Sequence, residues 1–204
     1  VLSTQTLVSL YGIPGIGKTF TLNALDDLVK AVSYKAIGSD NNTIYDGSDS
    51  DSSRQMMADT YITGKTPPSK VQHLLDMDRL HAFEHTPHRV VFTDVGPATS
   101  DVFSAVNGVA PAYIHNSWGS EIKTYREAIE GMFPKRLDIV IDDTIENVRD
   151  RIAIRNRDGE DVGLEPDYLM SLQDELMKIA GAIFLSYSSK SPIGKLLDVI
   201  LKLV

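Results

Sequence analysis

The segment LVSLYGIPGIGKTFTLNAL, residues 7–25, constrains the fold more than any other part of the chain. An apolar run leads into Gly12, Gly15, Gly17, Lys18 and Thr19 in the spacing G-x-x-x-x-G-K-[ST], and a helical pattern follows. Glycines at these points let the backbone turn tightly and aim successive N–H groups at phosphate oxygens. The following helix adds its positive end. In that context Lys18 is expected to reach the β- and γ-phosphates, and the Thr19 hydroxyl to ligate Mg²⁺. A strand–loop–helix start of this kind belongs to α/β folds with a parallel sheet.

The rest of the chain repeats the alternation. Runs rich in β-formers occur at 6–12, 32–38, 89–95, 137–143 and 182–188. Most are continuously apolar, as strands covered on both faces are. Helical patterns lie at 18–31, 52–63, 69–85, 119–133, 144–156, 166–180 and 193–203. The expected architecture is a three-layer α/β fold, a five-stranded parallel sheet with helices on both faces and an arginine-rich lid. With 204 residues and no internal repeat or linker, the chain reads as one domain over 1–204, with the lid at about 151–164. Asp143 followed by Glu146 has the spacing of a capping box and predicts that a helix begins there. Pro67 and Pro68 separate two helices.

A net charge of −8 argues against a general nucleic-acid-binding surface while leaving room for a small basic phosphate site. The absence of cysteine excludes disulfides and Cys-based zinc sites. No apolar run reaches the roughly 18 residues of a membrane span, so a cytoplasmic protein with no membrane partner is expected. The strand VVFTD delivers Asp94 to a carboxyl end, where open α/β sheets bind ligands. Asp94 either carries the metal opposite Thr19 or closes a turn before Gly96 and Pro97. Arg149, Arg151, Arg155 and Arg157 concentrate in an otherwise acidic chain, with Arg151 and Arg155 on one helix face. Forked cations of this kind suit the charge on a moving phosphoryl group. The alternative is a solvated face balanced by Asp150, Asp158, Glu160 and Asp161.

With these residues in place the sequence resembles the deoxynucleoside kinase family, which includes the herpesviral thymidine kinases. The landmarks follow the family's order: the phosphate loop, then Asp40 and Tyr45 five residues apart, then Gln72 and Arg79 seven apart, then Asp94. The segment DRIAIRNRDGEDVGLEPDYLMSL is similar to the family's lid, with Arg151, Arg155, Arg157, Glu160 and the pair Tyr168-Leu169. The resemblance implies transfer of the ATP γ-phosphate to a deoxynucleoside 5′-hydroxyl, with Mg²⁺, in a homodimer. It assigns Asp40 as the base for the hydroxyl, and Gln72 and Arg79, with Tyr45, as contacts to the nucleoside. It assigns Arg151, Arg155 and Arg157 to the transferred phosphoryl. Asp101 stands as a partner for Arg79, with Asp76 or Glu84 as the alternatives.

The chain also departs from the family. Asp94-Val95-Gly96 stands in place of Glu-Arg-Ser, and Asp40-Asn41 in place of Glu-Pro. A thymidylate-kinase type of monophosphate kinase shares the loop, sheet and lid and is the nearest alternative, since MDRLH before a strand ending in Asp also resembles it. A non-catalytic P-loop module is the alternative from another class. The GTPase form lacks support, because DVGP is not D-x-x-G and no N-K-x-D occurs.

Overall fold

The computed structural model describes residues 5–22, 34–37, 90–94, 96–110, 113–115, 122–155 and 165–187, and positions 69, 73, 76, 77, 79, 80, 83, 84, 194, 196 and 198. Strands β1 (Thr6–Tyr11), β2 (Tyr34–Ile37) and β3 (Val90–Thr93) precede helix α1 (Thr99–Val106). A short pair β4 (Tyr113–His115) and β5 (Ile122–Thr124) then leads into α2 (Tyr125–Met132). The chain continues through β6 (Lys135–Asp142), α3 (Ile145–Arg155), α4 (Pro166–Leu176) and β7 (Ile183–Ser186). Residues 18–22 are helical, as are the described positions between 69 and 84 and between 194 and 198.

The five expected strands form one sheet in the order β2-β3-β1-β6-β7, and every pairing in it is parallel. Side chains alternate across β1 as a strand requires. Val8 and Leu10 join Leu22, Phe92, Ile139 and Leu196 on one face. Tyr11 faces the opposite side, in a cluster with Ala98, Val102, Leu169 and Leu172, and Leu7 packs there with Phe83, Tyr125 and Ile129. Both faces of β1 are therefore covered, which explains why its sequence is apolar without alternation. From β1 the chain runs on to β2 at one edge, and from β6 to β7 at the other. The carboxyl ends of adjacent β1 and β6 thus mark a switch point, the place where such sheets hold ligands.

Two expectations need correction, and one helix is new. The helix placed at 119–133 begins only at Tyr125, because Ile122–Thr124 pair antiparallel with β4. Thr124 then starts α2 through a capping box with Glu127, its side chain accepting the Glu127 N–H at 3.2 Å. Helix α1 was not expected, since its small and hydroxyl-bearing residues give no strong period. The helix after β6 is capped by Thr144, whose hydroxyl accepts the Asn147 N–H at 3.3 Å. Asp143 does not cap it with Glu146, for its carboxylate is drawn to a guanidinium two turns on. Among the described residues no helix is long and apolar enough to cross a membrane.

Candidate phosphate-binding site

The loop after β1 takes the shape its glycines permit. Gly15 and Gly17 have φ of +80° and +103°, in the left-handed region that side chains rarely adopt. Both are also crowded. A Cβ on Gly15 would overlap the Ile152 side chain of α3, and one on Gly17 would lie 3.2 Å from the Tyr187 ring. Ile13 and Ile16, on either side of the apex, are buried with Val148 and Ile152 in one apolar cluster. The loop is therefore packed onto α3 rather than standing clear of the sheet.

Lys18 opens the helix that follows. Its ammonium donates to the Gly12 carbonyl at 2.8 Å and to that of Ile13 at 3.3 Å, so the side chain folds back over the loop. Thr19 is exposed in the same helical turn. Asp94, at the end of β3, is buried. Lys18 and Asp94 line one small cleft, of about 40 Å³, beside Gly12, Pro14 and Thr99, walled by Tyr11, Val102, Phe103 and Leu172. The Thr99 hydroxyl in that wall is buried with no hydrogen-bond partner among the described residues. The Thr19 hydroxyl and the Asp94 carboxylate are hard oxygen donors of the kind Mg²⁺ takes, with few protein ligands. Among the described residues no group of three or more His, Cys, Asp and Glu forms a metal cluster.

Several side chains here escaped the sequence reading. Tyr11 donates its hydroxyl to Asp138 at 3.0 Å and accepts the Ala98 N–H at 3.3 Å, joining β1, β6 and the start of α1 under the loop. Burial first, and the Asp138 carboxylate second, hold the Tyr11 hydroxyl well above the ordinary phenol range, so it stays neutral. The one available signal was Asp138 itself, a charge between Leu137 and the apolar run Ile139–Ile141.

Arg151 lies over the loop. Its Nε donates to the Gly15 carbonyl at 3.0 Å, its Nη2 meets Asp143 Oδ2 at 2.8 Å, and its guanidinium stands 5.1 Å from the centre of the Tyr187 ring. Burial alone would raise the Asp143 pKa, but hydrogen bonds from Asn147, Arg151 and the Thr144 N–H outweigh it and hold the carboxyl below its usual range. A depressed folded pKa stabilises the fold above the unfolded value of about 3.9, and that contribution is lost as pH falls through the folded one. The stability gap between wild type and Asp143→Asn, measured by urea unfolding, is expected to be full at pH 7 and to shrink from about pH 4 downward. A gap as wide at pH 3 as at pH 7 contradicts this.

The other expected site residues divide. Arg155 is the last residue of α3, while Asp40, Tyr45, Gln72 and Arg157 lie outside the described residues. Arg79 is buried, and its guanidinium sits 3.4 Å from Asp76, one helical turn before it. The Ser100 hydroxyl of α1 donates to the same carboxylate. Asp101 does not meet Arg79, because it faces Arg126 of α2 at 3.0 Å. The structure thus brings Lys18, Asp94 and the loop glycines together with Arg151 overhead, and puts Arg79 in a buried ion pair rather than a surface one.

No protein-family model matches the sequence, and no curated protein matches it either. Solved structures do match. Thymidylate kinase from Candida albicans aligns with a TM-score of 0.60 and 10% identity over 97% of this chain and 92% of its own. Deoxyadenosine kinase from M. mycoides, solved with dATP, aligns with a TM-score of 0.56 and 15% identity over 96% and 98%. The YorR protein of Bacillus subtilis, solved with phosphorylated GDP, gives 0.50 and 16% over 97% and 96%. At these identities the likeness speaks for the fold: the chain has the three-layer α/β architecture seen in P-loop kinases of nucleosides and nucleotides, along almost its whole length.

Proposed function

We propose that the protein is a phosphotransferase that moves the γ-phosphoryl group of ATP to the 5′-hydroxyl of a deoxynucleoside, a step of nucleotide salvage in the cytoplasm. The observation that carries this reading is the cleft that Lys18 and Asp94 share. A phosphate-handling lysine and a carboxylate meet there, beside apolar side chains. The loop N–H groups and Lys18 hold the ATP phosphates. Thr19 and Asp94 hold Mg²⁺, which when bound neutralises charge on the phosphate oxygens. The acceptor oxygen forms a bond to the γ-phosphorus as the bond to the β–γ bridging oxygen breaks. ADP leaves, and the hydroxyl proton passes to Asp40, the base that the family resemblance assigns. Arg155 and Arg157 complement the transferred charge, with Gln72 and Tyr45 on the nucleoside. Arg79, ion-paired with Asp76, is the further cation that the family resemblance assigns to the nucleoside.

Thymidylate-type transfer to a monophosphate is the second reading, favoured by the fold match to a thymidylate kinase. The experiment is a panel of four deoxynucleosides and their monophosphates with Mg·ATP, read as ADP release and product mass. Phosphorylation of at least one nucleoside is expected. Activity on monophosphates alone replaces the first reading with the second, and ATP binding without any transfer points to a non-catalytic module. Sedimentation is expected to give a dimer.

A further inference from the structure

Asp143 is the most elaborately held acid beside the loop. Its side chain is 2% exposed, with Oδ2 on Arg151 and Oδ1 accepting the Thr144 N–H at 2.8 Å and the Asn147 amide at 2.9 Å. A carboxylate fixed at both oxygens cannot swing, so it dictates where the Arg151 fork lies. That fork reaches the carbonyl of Gly15, the residue at the apex of the loop with its φ at +80°. The same guanidinium covers Tyr187, whose backbone N–H donates to the Asp142 carbonyl at 2.7 Å and whose ring closes over Gly17. The end of β6 thus braces both left-handed glycines of the loop, one through Arg151 and one through Tyr187.

We propose that Asp143 is a positioning residue for nucleotide binding: it aims Arg151 at the Gly15 carbonyl and so presets the loop for a polyphosphate. The proposal rests on the phosphate-site reading given above but not on the identity of the acceptor. It also gives Arg151 a task of its own beside the one assigned to Arg155 and Arg157. Arg151 shapes the cradle, and Asp143 acts only through it.

The test is the dissociation constant of Mg·ATP, by titration calorimetry at neutral pH, for wild type, Asp143→Asn, Asp143→Glu, Arg151→Ala, Arg151→Lys and the double variant Asp143→Asn/Arg151→Ala. Asp143→Asn is expected to weaken binding about tenfold, within the usual range for coupled sites. The double variant is expected to bind no more weakly than Arg151→Ala alone, because a residue acting through another adds nothing once that other is gone. Asp143→Glu should recover part of the affinity. Arg151→Lys keeps the charge without the fork, leaves Asp143 in place, and is expected to lose a similar factor. Wild-type affinity in Asp143→Asn or Arg151→Lys overturns the proposal, as do losses that simply add in the double variant. Wild-type protein that does not bind Mg·ATP overturns this proposal and the phosphate-site reading together. Binding with no acceptor phosphorylated removes only the kinase reading.

Discussion

Lys18→Ala is expected to lower phosphoryl transfer by about a hundredfold to a thousandfold, the scale for losing one preorganised charge from a transfer site. The expectation follows from position. Lys18 stands where the loop meets the helix, in the cleft it shares with Asp94, and its ammonium already lies within 2.8 Å of a loop carbonyl. Carbonyl contacts of a half-buried lysine contribute little to the fold, so the urea midpoint should move far less than the rate. Lys18→Arg keeps charge but not the compact ammonium, and should recover only part of the activity. Steady-state ADP release on whichever acceptor the panel identifies gives the rate, and urea unfolding of the same samples gives stability. A Lys18→Ala enzyme with near wild-type turnover would remove the loop from the chemistry.

Gly15→Ala is expected to destabilise the protein strongly. Two costs combine. An alanine at φ +80° is strained by about 1–2 kcal/mol, and its Cβ would overlap Ile152 where α3 packs on the loop, adding about 1–3 kcal/mol of overpacking. Together they take a large part of the 5–15 kcal/mol that holds a domain folded. A clear drop in the urea midpoint is the expected result, with loss of Mg·ATP binding in the folded fraction. Trimming Ile152 to Ala should relieve the overlap but not the strain, so the double variant should be less destabilised than the two single changes summed. A Gly15→Ala protein as stable as wild type would mean that the loop is not locked onto α3.

The strands were legible because burial on both faces writes itself into sequence as a continuous apolar run. The strands expected at 6–12, 89–95 and 137–143 correspond to Thr6–Tyr11, Val90–Thr93 and Lys135–Asp142. The loop was legible because its glycines serve backbone geometry, which spacing alone records. Partners were not. The period of a helix says which residues share a face, not what the face meets. Asp143 looked like a cap because caps are local, whereas its guanidinium lies eight residues on and gains a second acceptor only when the loop folds against α3. Asp101 could be paired on paper with Arg79, but the hairpin that precedes α2 brings Arg126 to it instead. Tyr187 gave no signal at all, since its place over Gly17 depends on the pairing of β7 with β6.

The order β2-β3-β1-β6-β7 also carries a consequence for synthesis. Strand β1 ends at Tyr11, yet its neighbours begin at Val90 and Lys135. At ribosomal speeds of about 5–20 residues per second, the first strand waits several seconds for one neighbour and longer for the other. Until then it exposes two unpaired edges on a nearly continuous apolar segment, the kind of surface that recruits other chains. The part of the molecule most exact in its final geometry is thus the part most in need of protection while the chain is made, and slowing translation between β3 and β6 should cost soluble yield before it costs anything else.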